Sequence, residues 1–182
     1  MELLIKKLAL KAKIKSPDLL TRPVGRAIYS EAKNKISMLG EHEVLVLDFE
    51  NIGVMDSSFI DEFIICLMKD AIASESPFYV KARNISSINQ INIESVIYTY
   101  SKYQKNRIAL VVNELTRDNT FVIGELSKKE HELISYVLLH KEATEKELIE
   151  LLNSSNDEIK KIIETLNKIR ILRLEKSRVL AV

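Results

Sequence analysis

The sequence predicts an α/β protein with a mixed sheet and covering helices, followed by a smaller, mostly helical domain. Segments with strand character alternate with apolar helical segments as far as residue 123, a pattern typical of a parallel or mixed sheet packed against helices. After Gly124 the pattern changes to three successive amphipathic helices and two short strands. We therefore predict two domains, residues 1–123 and residues 124–182.

The start of the chain allows two interpretations. Apolar residues alternate with lysines over residues 8–15, a period of two that favours a half-exposed strand. A helix over residues 2–11 is the alternative, because leucine and lysine are also good helix formers. Pro17 ends this segment, and Thr21 with Pro23 predicts the start of a helix that stops near Gly40.

The rest of the first domain shows clearer signals. Residues 44–49 form an apolar, β-branched run that suits a buried strand. The helix over residues 58–74 is apolar on most sides and is expected to be buried. The elements predicted after it are a strand at 78–82, a helix from Ser86 or Ser87 to about 102, and strands at 107–112 and 120–123. Arg117-Asp118-Asn119 has the residue types of a turn, so the last two strands are predicted to form a hairpin.

The segment Asp56-Ser57-Ser58 lies between the buried strand and the buried helix. Its side-chain oxygens can accept hydrogen bonds from the free N–H groups of a helix start, so Ser57 or Ser58 can be an N-cap. The same place, at the carboxyl end of a strand in an open sheet, is where ligands usually bind. We therefore keep two interpretations, a structural cap and a regulated site.

These residues resemble a known family. A strand, then Asp-Ser-Ser, then an apolar helix is similar to the STAS domain of anti-sigma-factor antagonists and sulfate transporters. The resemblance implies that Ser58 is phosphorylated by a partner kinase and that Asp56 and Ser57 belong to the same motif. Phe59 stands where the usual motif has glycine, and Ser-Phe-Ile-Asp-Glu is closer to a divergent STAS-like group. The 22–26 segment also resembles that group.

The second domain begins with two candidate capping boxes, Ser127 with Glu130 and Thr144 with Glu147. Helices are predicted at 127–140, 144–153 and 157–170, and two short strands at 171–182 meet around Lys176-Ser177. This order resembles a winged helix-turn-helix domain. In that fold the third helix enters the DNA major groove, so the candidate DNA contacts are Ser155, Asn156, Lys160, Lys161, Arg173 and Arg178.

The net charge of this second domain does not favour DNA binding. Residues 124–182 contain eleven Lys plus Arg and eleven Asp plus Glu, whereas DNA affinity depends on neutralising phosphates. Asp157 and Glu158 also stand at the end of the helix expected to face DNA. Docking of a protein, or dimerisation, is therefore the alternative use of this domain.

The whole chain excludes several classes of function. Its 182 residues carry a net charge of +1 and a single cysteine, Cys66, so a strong polyanion binder and an internal disulfide are not expected. No apolar run is long enough to span a membrane, and no signal peptide is recognisable. His42, His131 and His140 are scattered, and no catalytic or metal-binding motif is found, so we expect a non-enzyme without metal or cofactor.

Together these observations predict a cytoplasmic regulatory protein. Its STAS-like domain receives a signal, and its winged helix acts in transcription control on DNA, with a second copy of the chain in a homodimer among the expected partners. The alternative is an adaptor that does not bind DNA and that docks on an anti-sigma-type kinase or another regulatory protein.

Overall fold

The computed structural model describes residues 1–104, 106–114, 119–176 and 178–182. Its main sheet has five strands in chain order. The first four strands are parallel and the last is antiparallel, so the predicted α/β class with a mixed sheet is confirmed. The strands are β1 (Glu2–Leu4), β2 (Val44–Asp48), β3 (Tyr79–Arg83), β4 (Ala109–Glu114) and β5 (Asn119–Gly124).

The helices of this first part lie between those strands in the sequence. They are α1 (Ile5–Lys11), α2 (Arg22–Ile36), α3 (Ser57–Ile60), α4 (Cys66–Ala73) and α5 (Ser87–Gln104), and a π-helical turn (Asp61–Ile65) joins α3 to α4 without a break. The predicted start of α2 is confirmed, but the helix ends at Ile36, before Gly40.

The prediction of a strand over residues 8–14 is wrong. Residues up to Lys11 form α1, and the strand is the short segment that precedes it. The buried side chains of α1 are Ile5, Leu8 and Ala9, whose spacing of three and four is that of one helical face. Of the alternating lysines, Lys11 is therefore an exposed residue of the helix, which was the alternative interpretation, and Lys13 and Lys15 follow its end.

The C-terminal part folds as a second layer. It consists of α6 (Lys128–His140), β6 (Glu142–Thr144), α7 (Glu145–Leu152), α8 (Asn156–Lys168), β7 (Leu172–Glu175) and β8 (Arg178–Ala181). Both capping boxes are confirmed. The three strands form an antiparallel sheet in the order β6-β8-β7, and β6 was not predicted. The turn proposed at residues 117–118 and Ser177 lie outside the described residues.

Strand β4 contributes to two hydrophobic clusters. Leu110 and Val112 pack into the cluster that contains α1 to α5, while Ala109 and Val111 pack into the cluster built by α6 to α8. This alternation follows from the period of two in a strand. The C-terminal part therefore covers the sheet face opposite the first five helices. The division into domains at residue 124 stays a prediction, because this cluster crosses it.

Two polar contacts lie between the same two layers. The ammonium of Lys81 in β3 donates to the carbonyl oxygen of Val182. Burial lowers the pKa of Lys81, and nearby Lys141 lowers it further. At the end of α8, the Nε of Arg170 donates to the carbonyl oxygen of Ala71 in α4 at 3.1 Å. The contact between the layers is therefore both apolar and polar.

Candidate functional site

The helix that follows β2 is capped by Asp56. Its Oδ1 accepts from the Phe59 amide at 2.7 Å, and its Oδ2 accepts from the Thr21 amide at 2.9 Å. The expectation that Ser57 or Ser58 is the N-cap is therefore wrong. The Asp56 carboxylate, one residue earlier, takes that role with one oxygen, and its other oxygen fixes the chain before α2.

The two serines are left with free hydroxyls. Ser57 is exposed and Ser58 is half-buried in the first turn of α3. Within the part of the chain that the structure describes, neither hydroxyl has a hydrogen-bond partner. The serine that the STAS resemblance singles out is thus accessible and has no evident structural task.

A cleft of about 450 Å³ opens beside these serines, between α3 and α5. From α5 its wall receives the hydroxyl side chains of Ser95, Thr99 and Tyr103. The cleft is therefore lined by hydrogen-bonding groups on both sides. Its other lining residues are Arg22, Asp61, Val96, Tyr100 and Gln104.

The loop that leads to the serines is held by buried amides of α5. Asn89, which is 1% exposed, accepts from the Met55 amide at 2.8 Å and donates to the Gly53 carbonyl oxygen at 2.7 Å. Asn92 donates to the Met55 carbonyl oxygen at 2.9 Å. The position of Asp56, and with it the start of α3, therefore depends on α5.

Two arginines of α2 neutralise the acidic residues that follow the serines. The Arg22 guanidinium contacts Asp61 at 2.8 Å and Glu62 at 2.7 Å, and Arg26 contacts Glu62 at 3.1 Å. Hydrogen bonds from Arg26 and Arg22 lower the pKa of Glu62 to about 2. Glu62 thus stays ionised, and both carboxylates serve as anchors for α2.

A glycine allows α2 and α3 to approach closely enough for these ion pairs. A Cβ at position 25 would lie 2.8 Å from the Glu62 Cβ and 3.1 Å from the Phe59 carbonyl oxygen. Both distances are shorter than ordinary contacts, so Gly25 is needed for this packing. The resemblance pointed to the 22–26 segment, but its pairing with Asp61 and Glu62 was not predicted, because the residues are far apart in sequence.

A second polar cluster lies at the carboxyl end of β2. Asp48 is 2% exposed and accepts hydrogen bonds from Arg83, Asn84 and the Glu50 amide. Burial acts to raise the pKa of Asp48, but the bonds from Asn84 and Arg83 outweigh it and the pKa is lowered. Both oxygens of Asp48 are therefore used in organising this end of the sheet.

The residues proposed for DNA contact differ in exposure and in the partners they already have. Lys160 and Lys161 are exposed on α8, and Asn156 is exposed at its start. The hydroxyl of Ser155 accepts from the Glu158 amide and caps α8. Arg178 pairs with Glu142 at 3.0 Å, and half-buried Arg173 pairs with Glu175 at 3.0 Å.

A membrane-spanning helix and a metal-binding cluster are both absent from the residues that the structure describes. No helix there is long and apolar enough to cross a membrane. The same ranges hold no group of three or more His, Cys, Asp or Glu side chains placed to hold a metal ion. Cys66 is half-buried in α4, and burial raises the pKa of its thiol.

Comparison with known proteins yields no relative that could assign this site. No protein-family model matches the chain, and no curated protein matches it. The function must therefore be inferred from the site itself and from the arrangement of the two layers.

Proposed function

We propose that the protein is a cytoplasmic regulator in which residues 1–123 form a STAS-like input domain and residues 124–182 form a winged-helix output domain that acts in transcription control. The input role is supported by Ser58, which has a free hydroxyl on an open cleft. The output role is supported by the order α6-β6-α7-α8-β7-β8 and by the β6-β8-β7 sheet, an order that suits a helix-turn-helix followed by a β-wing.

The observation that carries the proposal is the double role of β4. Its alternating side chains belong to the cores of both layers. A packed core has few arrangements and transmits small displacements instead of absorbing them. A change in the packing of α5 or of the sheet therefore has a direct route to α6 and α8. Two modules joined by a flexible linker would lack this route.

Phosphorylation of Ser58 is the input that the site suits best. A phosphate adds about −1.5 to −2 charges and three strong acceptors, and the free N–H groups and positive dipole at the start of α3 favour it. Arg22 lines the same cleft and binds Asp61 and Glu62. A phosphate on Ser58 would compete with these carboxylates for Arg22 and so alter the contact between α2 and α3.

The partner proposed for this input is a kinase of the anti-sigma type or another regulatory protein. The outward face of α5 carries Ile88, Ile91 and Tyr98, which are 53%, 64% and 49% exposed. Their spacing places them on one helical face, and Ser95 of the cleft lies on that face as well. A partner that reaches Ser58 would thus find an apolar surface beside it.

The output is tested by a DNA-binding titration. The full chain is titrated with a short DNA duplex at about 50 and about 200 mM salt, together with Lys160→Gln and Lys161→Gln variants. Each lysine that contacts a phosphate is expected to reduce the slope of log affinity against log salt by about one unit. Lys11→Gln, an exposed lysine of α1, is the matched control. An unchanged slope in both α8 variants would contradict the proposed contacts.

The input is tested in the same assay with phosphoserine incorporated at position 58. We expect DNA affinity to change while the melting temperature stays close to that of the unmodified chain. Phosphoserine at the more exposed Ser57 is the control for added charge. Equal effects at both positions would contradict a specific role for Ser58. The oligomeric state is measured in parallel, since two half-sites in a homodimer strengthen binding.

A protein adaptor is the second candidate, and the charges of α8 favour it. Asp157 and Glu164 are exposed and each stand four residues from a lysine, Lys161 and Lys160 respectively, so acidic residues lie on the helix surface beside both lysines. With Arg173 and Arg178 already paired, little basic surface is left for phosphates. Absence of DNA binding even at low salt, with the oligomeric state known, would favour this candidate over transcription control.

A further inference from the structure

A second cleft lies between the two layers of the molecule and is more apolar than the serine cleft. It has a volume of about 520 Å³. Ile72 and Ala73 of α4 form one side, and Tyr100 and Ile108 lie next to them. Ile169, just after α8, closes the other side. Both layers therefore build this cavity, whose size is within the range typical of small-molecule sites.

Three cations surround this apolar wall. Arg107 is already held by Glu130 at 2.9 Å and by the Glu125 carbonyl oxygen. The two lysines differ from it, because in the described part of the chain neither Lys69 nor Lys168 is paired with a carboxylate. Lys69 lies 6.0 Å from the centre of the Tyr100 ring, which leaves its ammonium at the edge of the cleft.

The described residues that line the cleft include no aspartate or glutamate, and Glu130, which does not line it, is already paired with Arg107. Lys69 and Lys168 are exposed lysines that line the same cleft as the apolar side chains, and a ligand anion bound there would be attracted by both charges while its apolar part displaces water. The exposed amide of Asn106 is a further donor that has no partner among the described residues.

We infer that this cleft binds a small amphipathic carboxylate, with its apolar body against Ile72, Tyr100 and Ile169 and its carboxylate between Lys69 and Lys168. Such a ligand would contact α4 and α8 at once. It would therefore stabilise the packing of the two layers, by an amount that rises with the logarithm of its concentration above the dissociation constant. The inference does not depend on the phosphorylation of Ser58 or on DNA binding.

Calorimetric titration of the full chain with decanoate tests the inference. Decanol has the apolar body without the charge, and acetate has the charge without the body. We expect saturable binding of one decanoate per chain and at least about tenfold weaker binding of either control compound, because each lacks one of the two contacts. Decanoate is also expected to raise the melting temperature.

Variants locate the site. Lys69→Glu and Lys168→Glu should each weaken decanoate binding by about tenfold or more, since they replace attraction by repulsion. Lys160→Glu, on the same helix but outside the cleft, is the matched control and should bind as the unmodified chain does. Ala73→Trp fills the cleft from an exposed position and should abolish binding without loss of helical content.

Three results would overturn the inference. One is the absence of saturable decanoate binding at millimolar concentrations. Another is decanol binding as tightly as decanoate, which would show that the lysines play no part. The third is an equal loss of affinity in Lys160→Glu and Lys168→Glu, which would indicate general attraction of anions to the surface instead of binding in the cleft.

Discussion

The Asn89→Leu substitution tests how the loop before the serines is held. Leucine has nearly the shape of asparagine but cannot make the bonds to the Met55 amide and the Gly53 carbonyl oxygen. Asn89 is almost fully buried, and the bond to Met55 lies in the interior. The substitution therefore leaves a buried N–H group without a partner, while the Gly53 oxygen is only partly buried.

The expected magnitude follows from these two bonds. An unsatisfied buried amide costs about 1–3 kcal/mol, and loss of a partly exposed bond costs about 0.5–1.5 kcal/mol. Leucine recovers about 1 kcal/mol through its extra apolar surface. The net loss in the free energy of unfolding is then about 2 kcal/mol. For a urea dependence of about 2 kcal/mol per molar, the midpoint should fall by about 1 M.

Urea unfolding followed by circular dichroism measures this loss. Gln90→Leu is the matched control, because it makes the same kind of change at the neighbouring position, where the side chain bonds only to exposed Glu94. The control should cost less than about 0.5 kcal/mol. If Asn89→Leu is as stable as Gln90→Leu, the loop finds other partners and the argument that α5 positions the serines is refuted.

Three further predictions concern the junction, acid stability and the C-terminal part. Gly124 has φ 157°, and an added Cβ would lie 2.6 Å from that of Ala109, so Gly124→Ala should cost about 1–3 kcal/mol. Gly40→Ala is the control and should be nearly neutral, because an added Cβ there would make only ordinary contacts, at 3.7 Å or more, with the Glu43 side chain. Equal urea midpoints of the two variants would contradict this. Because the pKa of Glu62 falls from 4.5 to about 2 on folding, its stabilisation is present above pH 4.5 and lost as the pH falls toward 2. In chemical unfolding measured at several pH values, the free energy of unfolding of the Glu62→Gln variant should therefore fall less steeply toward low pH. An unchanged slope would disprove the stabilising role of Glu62. Residues 124–182 alone lack the β4 side chains of their core, so their thermal unfolding should be broad and of low midpoint; a sharp, highly stable monomer would count against this.

Most elements of the fold could be predicted from local patterns. The apolar run at 44–49, the buried helix after it and both capping boxes were recognised, because period, length and capping residues are properties of adjacent positions. The error at residues 8–14 has the same origin. Leucine and lysine fit two periods, and only the packing of Ile5, Leu8 and Ala9 against the core selects the helix.

The candidate site was only partly predictable. The helix start at Asp56-Ser57-Ser58 was predicted, but the identity of the capping residue within that segment was not. The cap and the free hydroxyls depend on Thr21, which is 35 positions away from Asp56. The arginines of α2 that neutralise Glu62 are about as distant, so no local pattern could connect them.

By itself the sequence determined the α/β class, the order of nearly all elements and the place where an accessible serine stands. These depend on interactions within a few residues, which a linear pattern records. Only the tertiary structure decided that β4 contributes to two cores and that α5 holds the loop before Ser58. It also decided that Lys69 and Lys168 line the same apolar cleft. Those features join residues from distant segments, and their energies arise from burial and from charges that come together only when the chain is folded.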